Sequence, residues 1–308
     1  MRIIAATALL LLAAPAVAQE RDFSSVEIRS EPLAPGVAVL FGAGGNIGVS
    51  HGPDGTVLVD DQFAPLTERI QAAVAGLGAT PARFLVNTHW HGDHTGGNEN
   101  LGQAGALILA HDNVRIRMAS PQTRRDGEGT PASPPAALPV VTYEDGLKLH
   151  LNGDTVHLIH VDSAHTDGDS IVRWERANVL HMGDLFFHRI SLPFIDRDSG
   201  GSVQGMIAAA ERGLALANDQ TRIIPGHGPV ATRADLAAYR DMLMLIRDRV
   251  AAAIEEGQTI EQIQAMNIAQ PYAVEGGFID GPTFVGFVHD SLINPPAHSH
   301  DGGEPHSH

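Results

Sequence analysis

The first part of the chain contains short apolar runs separated by turn residues. These runs lie at Val37–Phe41, 46–50 and Thr56–Val59, and a Pro-Asp-Gly turn at 53–55 separates the last two. Short apolar runs bounded by Gly, Pro and Asp are typical of β-strands, and short connections favour hairpins. The pattern therefore predicts three successive antiparallel strands, the last of which leads into Asp60.

A periodic segment follows, with apolar residues at positions 66, 70, 74 and 77 and a glycine at 78. This spacing gives a helix one apolar face, so we expect a helix over 66–77. Apolar runs at 84–87 and 106–110 predict two more strands, and the first of them opens directly into His89. The stretch 120–139 is rich in Pro, Gly, Thr and charged residues, and we expect a flexible surface loop that packs no core.

The second half begins with a hairpin and continues with further strands. An Asn152-Gly153 pair between apolar runs at 147–151 and 155–161 is a strong hairpin signal. Strand-like runs also lie at 170–174, 179–182 and 222–224.

Two helices are indicated in the same half. Ser202 precedes a helical pattern, and Thr232 with Asp235 resembles a capping box before a helix that ends near Gly257. Both halves thus place strands before helices. This order predicts an α/β fold in which two sheets pack face to face and helices cover the outer faces.

The ends of the chain differ from its middle. Residues 1–18 combine a positive start, an apolar run and a small-residue cleavage site, which is typical of a secretory signal peptide. Residues 291–308 carry His-x-His pairs among glycines and acids without apolar periodicity, which predicts a disordered tail. We therefore expect one folded domain over 19–290, in a periplasm or outside the cell, with no membrane attachment after signal cleavage.

Charge and cysteine content exclude several functions. The 308 residues include 36 acidic and 20 basic ones, the formal net charge is -16, and Lys148 is the sole lysine. Such a chain lacks the basic surface that nucleic acid or anionic lipid requires. Because it has no cysteine, disulfides, cysteine nucleophiles and thiolate metal sites are excluded. Any metal must bind to nitrogen and oxygen ligands.

A cluster of histidines follows the strand at 84–87. His89, His91, Asp93 and His94 lie within six positions, beside glycines that allow a tight backbone path. Imidazole and carboxylate are the ligands that zinc accepts where thiolate is absent. The first two histidines can share one ion, whereas the adjacent aspartate and histidine point elsewhere. The spacing therefore predicts two ions, which in such sites lie about 3.5 to 4 Å apart.

Four ligands do not complete two zinc ions, so the rest of the chain should supply about three more. His165, Asp184 and His227 each follow an apolar strand and have Gly or another turn-forming residue close by. They are the candidates for the remaining ligands.

At this point the chain resembles the metallo-β-lactamase superfamily, over nearly all of its length to about Leu245. The superfamily pattern is His-x-His-x-Asp-His, then a distal His, a distal Asp or Cys, and a final His, and every step is present. The resemblance implies an αββα sandwich. It also implies that one zinc is bound by His89, His91 and His165, the other by Asp93, His94 and His227, with Asp184 bridging them and Asp60 accepting hydrogen bonds behind the first histidine loop.

The resemblance further implies a hydrolase of small molecules. Two zinc ions lower the pKa of a shared water toward about 7, supply hydroxide and polarise the carbonyl that it attacks. Asp93 is then the residue that orients the water and transfers its proton. We expect β-lactamase-like opening of a cyclic amide first, because the signal peptide favours a substrate met outside the cytoplasm. Iron or manganese can replace zinc in such a ligand set.

The sequence differs from the common β-lactamases at two positions of the site, so substrates other than β-lactams are also considered. Their distal Cys and the lysine clamp for the drug carboxylate are replaced by Asp184 and the sequence Phe-Phe-His-Arg at 186–189. His188, Arg189 or Arg197 are candidates for the clamp, and Trp90 is a candidate for the pocket mouth.

The alternative to a β-lactamase-like enzyme is a lactonase or a thioesterase similar to glyoxalase II. An alternative outside enzymes is a zinc-buffering protein that uses the histidine-rich tail. The oligomeric state is left open.

Overall fold

The computed structural model describes residues 21–125 and 127–296. Its strands are β1 (Arg29–Ala34), β2 (Val37–Phe41), β3 (Ile47–Ser50), β4 (Thr56–Val59), β5 (Ala82–Val86), β6 (Leu107–His111), β7 (Gln122–Thr123), β8 (Gly129–Thr130), β9 (Val141–Tyr143), β10 (Gly146–Leu151), β11 (Asp154–His160), β12 (Ser170–Trp174), β13 (Val179–His181) and β14 (Arg222–Ile224). The α-helices are α1 (Thr67–Gly76), α2 (Gly92–Thr95), α3 (Asn98–Gln103), α4 (Asp112–Met118), α5 (Val203–Leu216), α6 (Arg233–Glu255), α7 (Ile260–Ala265) and α8 (Gly281–Ile293). Short 3-10 turns lie at Ala64–Leu66, Pro135–Ala137, Gly183–Leu185, Arg197–Ser199 and Gln270–Tyr272.

The strands form two large mixed sheets. The first has the order β1-β2-β3-β4-β5-β6-β9, antiparallel from β1 to β4 and parallel from β4 onward. The second has the order β10-β11-β12-β13-β14 and is antiparallel except for the β13-β14 pair. Each sheet thus ends in a parallel portion, which requires long connections that return over the outside of the sheet.

The inner faces of the two sheets pack against each other. In β4, Val57 and Val59 belong to the cluster between the sheets, and Leu58 belongs to the cluster on the other side of the sheet. This alternation follows from the two-residue period of a strand whose faces are both buried. From the second sheet, Leu158 and Trp174 enter the same inner cluster. The prediction of an α/β sandwich with helices outside is confirmed.

Helices cover the outer faces. Ile70 and Val74 of α1 pack on the outside of the first sheet, and the helices α5, α6 and α8 pack on the outside of the second. Ser202 accepts a hydrogen bond from the backbone N of Gly205 and so caps α5. Thr232 and Asp235 form the predicted capping box of α6.

Three regions differ from the sequence-based expectations. Residues 120–139 were expected to pack no core, which is wrong: β7 and β8 pair within them, and Ala137 is buried against Val114. The edge strand β1 is polar and largely exposed, so it lacks an apolar pattern. The last helix, α8, continues to Ile293, beyond the expected boundary at 290. The predicted signal peptide at 1–18 and the tail from 297 onward lie outside the described residues.

No helix within residues 21–125 and 127–296 is both long enough and apolar enough to cross a membrane.

The capping box of α6 gives a direct test of local stability. In a Thr232→Ala variant the backbone N–H of Asp235 loses its acceptor, which should cost about 1 kcal/mol. We expect the melting temperature to fall by roughly 2 to 4 °C. Thr232→Ser keeps the hydroxyl and serves as the matched control. Equal melting temperatures for the alanine and serine variants would show that the cap contributes nothing.

Acid should weaken the start of α4. His111 accepts a hydrogen bond from the backbone N of Asn113 and stacks on His160 with ring centroids 3.6 Å apart. Burial and the His160 ring lower the pKa of His111 from 6.5 to about 4, against the opposing effect of Asp112 and Asp167. Because the folded-state pKa is depressed, this contribution to stability is complete above pH 6.5 and is lost as the pH falls through 4.

A His111→Asn variant keeps a capping acceptor and removes the titration. Its melting temperature should therefore fall less than that of the parent protein between neutral pH and about pH 4. Thermal unfolding followed by circular dichroism at several pH values measures the difference. Parallel pH profiles for the two proteins would contradict the assignment to His111.

Candidate metal centre

The predicted ligands lie where strands of both sheets end. On the first sheet, His89 and His91 follow β5, and Asp93 and His94 lie in α2 directly after them. On the second sheet, His165 follows β11, Asp184 lies in the turn after β13, and His227 follows β14. Parallel strands bring their carboxyl ends to the same edge of a sheet, so residues that are distant in the chain become neighbours.

The structure brings all seven predicted ligands together in two groups. Within each group the ligand atoms all lie within 4.8 Å of one another. The first group comprises His89, His91, His165 and Asp184, and the second comprises Asp93, His94 and His227. A His/Asp cluster of this composition is suited to divalent metal ions.

The carboxylate of Asp184 stands between the two groups. Its Oδ2 lies 3.5 Å from His165 Nε2 and 3.9 Å from His89 Nε2. Its Oδ1 lies 3.1 Å from His94 Nε2 and 3.4 Å from His227 Nε2. Each oxygen therefore faces one group, which is the position that a bridging carboxylate occupies.

One ring nitrogen of the first group, His89 Nε2, is free to bind a cation. His89 is buried, and its Nε2 has no hydrogen-bond partner among the described residues. Its Nδ1 lies 3.1 Å from Thr88 Oγ1, which leaves Nε2 aimed at the other ligands. Burial lowers the pKa of His89, and it lowers the pKa of His165 to about 4. Neutral imidazole is the form that binds metal ions.

The second group favours positive charge. Burial lowers the pKa of His94 and of His227, but the surrounding carboxylates, first Asp184 and then Asp93, together outweigh it. The pKa of His94 is raised well above its usual value and that of His227 is raised to about 9. For Asp93, burial raises the pKa, but His94 and His227 together outweigh it and lower the pKa to about 2. The carboxylates thus stabilise a cation at this position, which is what a metal site requires.

Asp60 fixes the orientation of His94 from behind. Its buried carboxylate lies 2.8 Å from His94 Nδ1 and accepts hydrogen bonds from the backbone N and the hydroxyl of Thr88, each at 2.8 Å. The partner on Nδ1 directs Nε2 of the ring toward the other ligands. Asp60 therefore lies where the family resemblance implies a hydrogen-bond acceptor behind the histidine loop.

Asp196 holds His91 in the same way and was missed by the sequence analysis. Its Oδ2 lies 2.8 Å from His91 Nε2, so His91 presents Nδ1, which lies 2.9 Å from His165 Nε2. Asp196 Oδ1 accepts hydrogen bonds from the backbone N of Asp198 and Ser199. The sequence signal for Asp196 is only that of a turn-capping aspartate. It gives no indication of a contact with a histidine 105 positions away.

The family model described as the metallo-beta-lactamase superfamily matches residues 41–238, which include all seven ligands. This chain belongs to the metallo-β-lactamase superfamily.

Two curated proteins are similar to the chain in sequence. The beta-lactamase-like protein 2 homolog of Caenorhabditis elegans is 28% identical over 222 residues, which are 70% of this chain and 67% of that protein. The hydroxyacylglutathione hydrolase of Nitrosococcus oceani is 30% identical over 166 residues, which are 53% of this chain and 55% of that protein. The chain thus matches only about half of the second relative.

Solved structures of metallo-β-lactamase-fold proteins share the architecture. The sec-alkylsulfatase Pisa1 from Pseudomonas sp. superposes with a TM-score of 0.65 at 16% identity, over 86% of this chain and 50% of that one. The DIM-1 metallo-β-lactamase superposes with a TM-score of 0.56 at 18% identity, over 71% of this chain and 99% of that one. At such identities the likeness shows the fold alone.

A cavity of about 1020 Å³ lies over the metal centre of this metallo-β-lactamase-fold protein. His91, Asp93, Asp184 and His227 line it, so the two ligand groups are accessible from solvent. The cavity wall also includes residues beyond 238, where the match to the superfamily ends; Phe287 is one of them.

The residues that the sequence suggested for substrate contact do not share one location. Trp90 lines the cavity, and its Nε1 donates to Ser199 Oγ at 3.1 Å. His188 is buried, donates through Nδ1 to the carbonyl of Pro229 at 2.9 Å, and does not line the cavity. Arg189 is 73% exposed and lies 3.2 Å from Asp235, also away from the cavity. The side chains of His188 and Arg189 therefore do not lie at the cavity, which corrects the prediction, although their neighbours Phe187 and Ile190 line it.

Arg197 was also considered as a clamp for a substrate carboxylate. It lines the cavity, but its guanidinium lies 2.9 Å from Asp290 Oδ2 and also donates to the carbonyls of Gly201 and Asn294. The guanidinium of Arg197 is therefore hydrogen-bonded to the protein itself, which weakens its assignment as a clamp for a substrate carboxylate.

The hydrogen bond from His91 to Asp196 predicts a change in metal affinity. An Asp196→Asn variant keeps an acceptor for the backbone of the turn and removes the negative charge beside His91. We expect zinc to bind about 10 to 100 times more weakly, as is typical when the partner of a ligating histidine is lost. Competition with a chromophoric chelator measures the affinity. Asp198→Asn, in the same turn, is the control; if both variants bind zinc as the parent does, Asp196 does not position the ligand.

Proposed function

We propose that this chain is a hydrolase that holds two divalent cations, zinc in the first instance, and cleaves a small-molecule carbonyl substrate. The observation that carries the proposal is the position of Asp184 between two ligand groups that line one open cavity. One cation would be held by His89, His91 and His165, the other by Asp93, His94 and His227, with Asp184 shared. Divalent cations in such a site make a bound water acidic and polarise the carbonyl.

Asp93 is the proposed proton acceptor. Its carboxylate lines the cavity with 31% of the side chain exposed, and its Oδ2 lies 3.3 Å from His227 Nε2. In the proposed reaction, water adds to the carbonyl carbon and gives a proton to Asp93. The bond to the leaving oxygen, sulfur or nitrogen then breaks, and the proton passes to that leaving atom.

Among carbonyl substrates, a lactone or thioester ranks first. Two of the clamp candidates, His188 and Arg189, lie outside the cavity, and the third, Arg197, is engaged with Asp290. This weakens the argument for a substrate held by its carboxylate. A relative 30% identical to the chain is a hydroxyacylglutathione hydrolase, whose name specifies thioester cleavage.

Cyclic amide hydrolysis, the first expectation from the sequence, is the second candidate. Arginines line the cavity, among them Arg117 and Arg125, and they provide positive charge near the carboxylate that a β-lactam carries. The periplasm or the exterior of the cell remains the proposed location, on the strength of the sequence of residues 1–18 alone.

A substrate panel combined with metal analysis tests the proposal. The zinc-loaded protein should hydrolyse an acyl-homoserine lactone or a thioester with a higher kcat/KM than nitrocefin. In an Asp184→Ala variant we expect fewer than two zinc ions per chain and a loss of kcat/KM of at least about 100-fold. Asp219→Ala, an exposed aspartate remote from the cavity, is the control. Two tightly bound ions and full turnover in the Asp184 variant would overturn the proposal.

A further inference from the structure

One side of the cavity is built of phenylalanine rings that contact the ligands themselves. Phe187 stacks on His227, with centroids 5.5 Å apart and planes inclined by 8°. Phe194 lies against His91 and His165, with centroids 5.9 Å and 5.7 Å away. The reactive end of a substrate at the ligand cluster therefore has an aromatic surface beside it, next to both groups of ligands.

Two further rings enlarge this surface, and one of them also contacts a ligand: the ring centroid of Phe278 lies 5.9 Å from that of His227. Phe278 packs on Phe187 with centroids 5.8 Å apart, and Phe287 packs on Phe194 at 5.4 Å. Both line the cavity, and both lie beyond residue 238, where the match to the superfamily model ends. The segment that carries these two rings therefore lies outside the part of the chain that the family model matches.

The outer part of this wall is exposed. Phe278 is 56% exposed and Ile190, which also lines the cavity, is 42% exposed. Large apolar side chains grouped at the edge of a cavity are typical of a surface that a ligand covers. The cavity volume of about 1020 Å³ exceeds what the carbonyl group alone needs, so room remains for a chain along the wall.

Two of the arginines that line the cavity are paired with carboxylates of the protein. Arg117 lies 2.6 Å from Asp167, and Arg125 lies 2.8 Å from Asp198 and 3.0 Å from Asp290. These arginines are compensated by carboxylates within the protein. Burial of apolar surface on the phenylalanine wall contributes binding energy that does not depend on these charges.

We infer that the C-terminal segment selects substrates that carry an extended apolar chain, which lies along Phe187, Phe278 and Ile190 while the carbonyl lies at the metal centre. The substrate class is thus an alkyl-chain acyl compound, a lactone, ester or thioester. The placement of the reactive carbonyl rests on the proposed hydrolase function. The affinity of the wall for an alkyl chain does not depend on turnover and can be measured separately.

Trp90 provides a signal for occupancy of the cavity. The chain has two tryptophans; Trp90 lines the cavity, whereas Trp174 is fully buried between the sheets. Titration of the zinc-loaded protein with butan-1-ol, hexan-1-ol and octan-1-ol, which contain no hydrolysable bond, should change Trp90 fluorescence. We expect the affinity to rise about fourfold for each added methylene that is buried.

Substitutions in the wall should remove this dependence on chain length. Phe278→Ala and, as a second variant, Ile190→Ala remove exposed side chains and should fold as the parent does. We expect octan-1-ol to bind about tenfold more weakly to Phe278→Ala, with butan-1-ol changed by less than about twofold. Tyr272→Ala is the matched control, because Tyr272 is 38% exposed in the same segment and does not line the cavity.

Three results would overturn the inference: affinity that does not rise with chain length, wall variants that bind octan-1-ol as the parent does, or an equal loss in Tyr272→Ala. Hydrolysis of butanoyl- and dodecanoyl-homoserine lactone separates this outcome from failure of the proposed function. A larger loss of kcat/KM for the dodecanoyl than for the butanoyl substrate in Phe278→Ala supports the wall as the determinant of specificity, and an equal loss for both contradicts it. Alcohol binding without any hydrolysis would leave the wall supported and the hydrolase proposal refuted.

Discussion

The geometry of the site depends on one carboxylate, that of Asp184, which contacts both groups of ligands through different oxygens. Its position is enforced by the backbone around it. A Cβ on Gly226 would lie 2.0 Å from Asp184 Oδ1, so only glycine allows the loop before His227 to pass this close. Asp184 and His227 are thus brought together by neighbouring parallel strands, β13 and β14, whose ends hold two ligands at a fixed spacing.

Sequence reasoning succeeds where the physical signal is local. The two-residue alternation in β4 follows from burial on both faces, and the positions of Ser202 and Thr232 follow from the unsatisfied N–H groups at helix starts. The ligands between His89 and His94 could also be recognised locally. Three histidines and an aspartate within six positions are typical of a metal site. His165 and Asp184 were recognised from their place after apolar strands.

Contacts between distant, irregular segments leave no such signal. Asp196 lies in a short turn, and its hydrogen bond to His91 depends on how the chain returns to the site after Asp184. Phe278 lies in an irregular segment before α8, where an isolated aromatic residue has no periodicity to read. The opposite error, the suggestion of His188 and Arg189 as substrate contacts, arose because proximity in sequence to Asp184 does not determine which way a side chain turns.

The division of the ligands between the sheets has a consequence for assembly of the protein. His89 and His94 belong to the first sheet, and His165 and His227 to the second, so neither half of the chain possesses a complete binding set. A complete site for an ion would therefore form only when the halves dock, and a bound ion would act as a non-covalent cross-link in a protein that has no cysteine for a covalent one. Withdrawal of the ions would release a constraint on the whole sandwich as well as its chemistry.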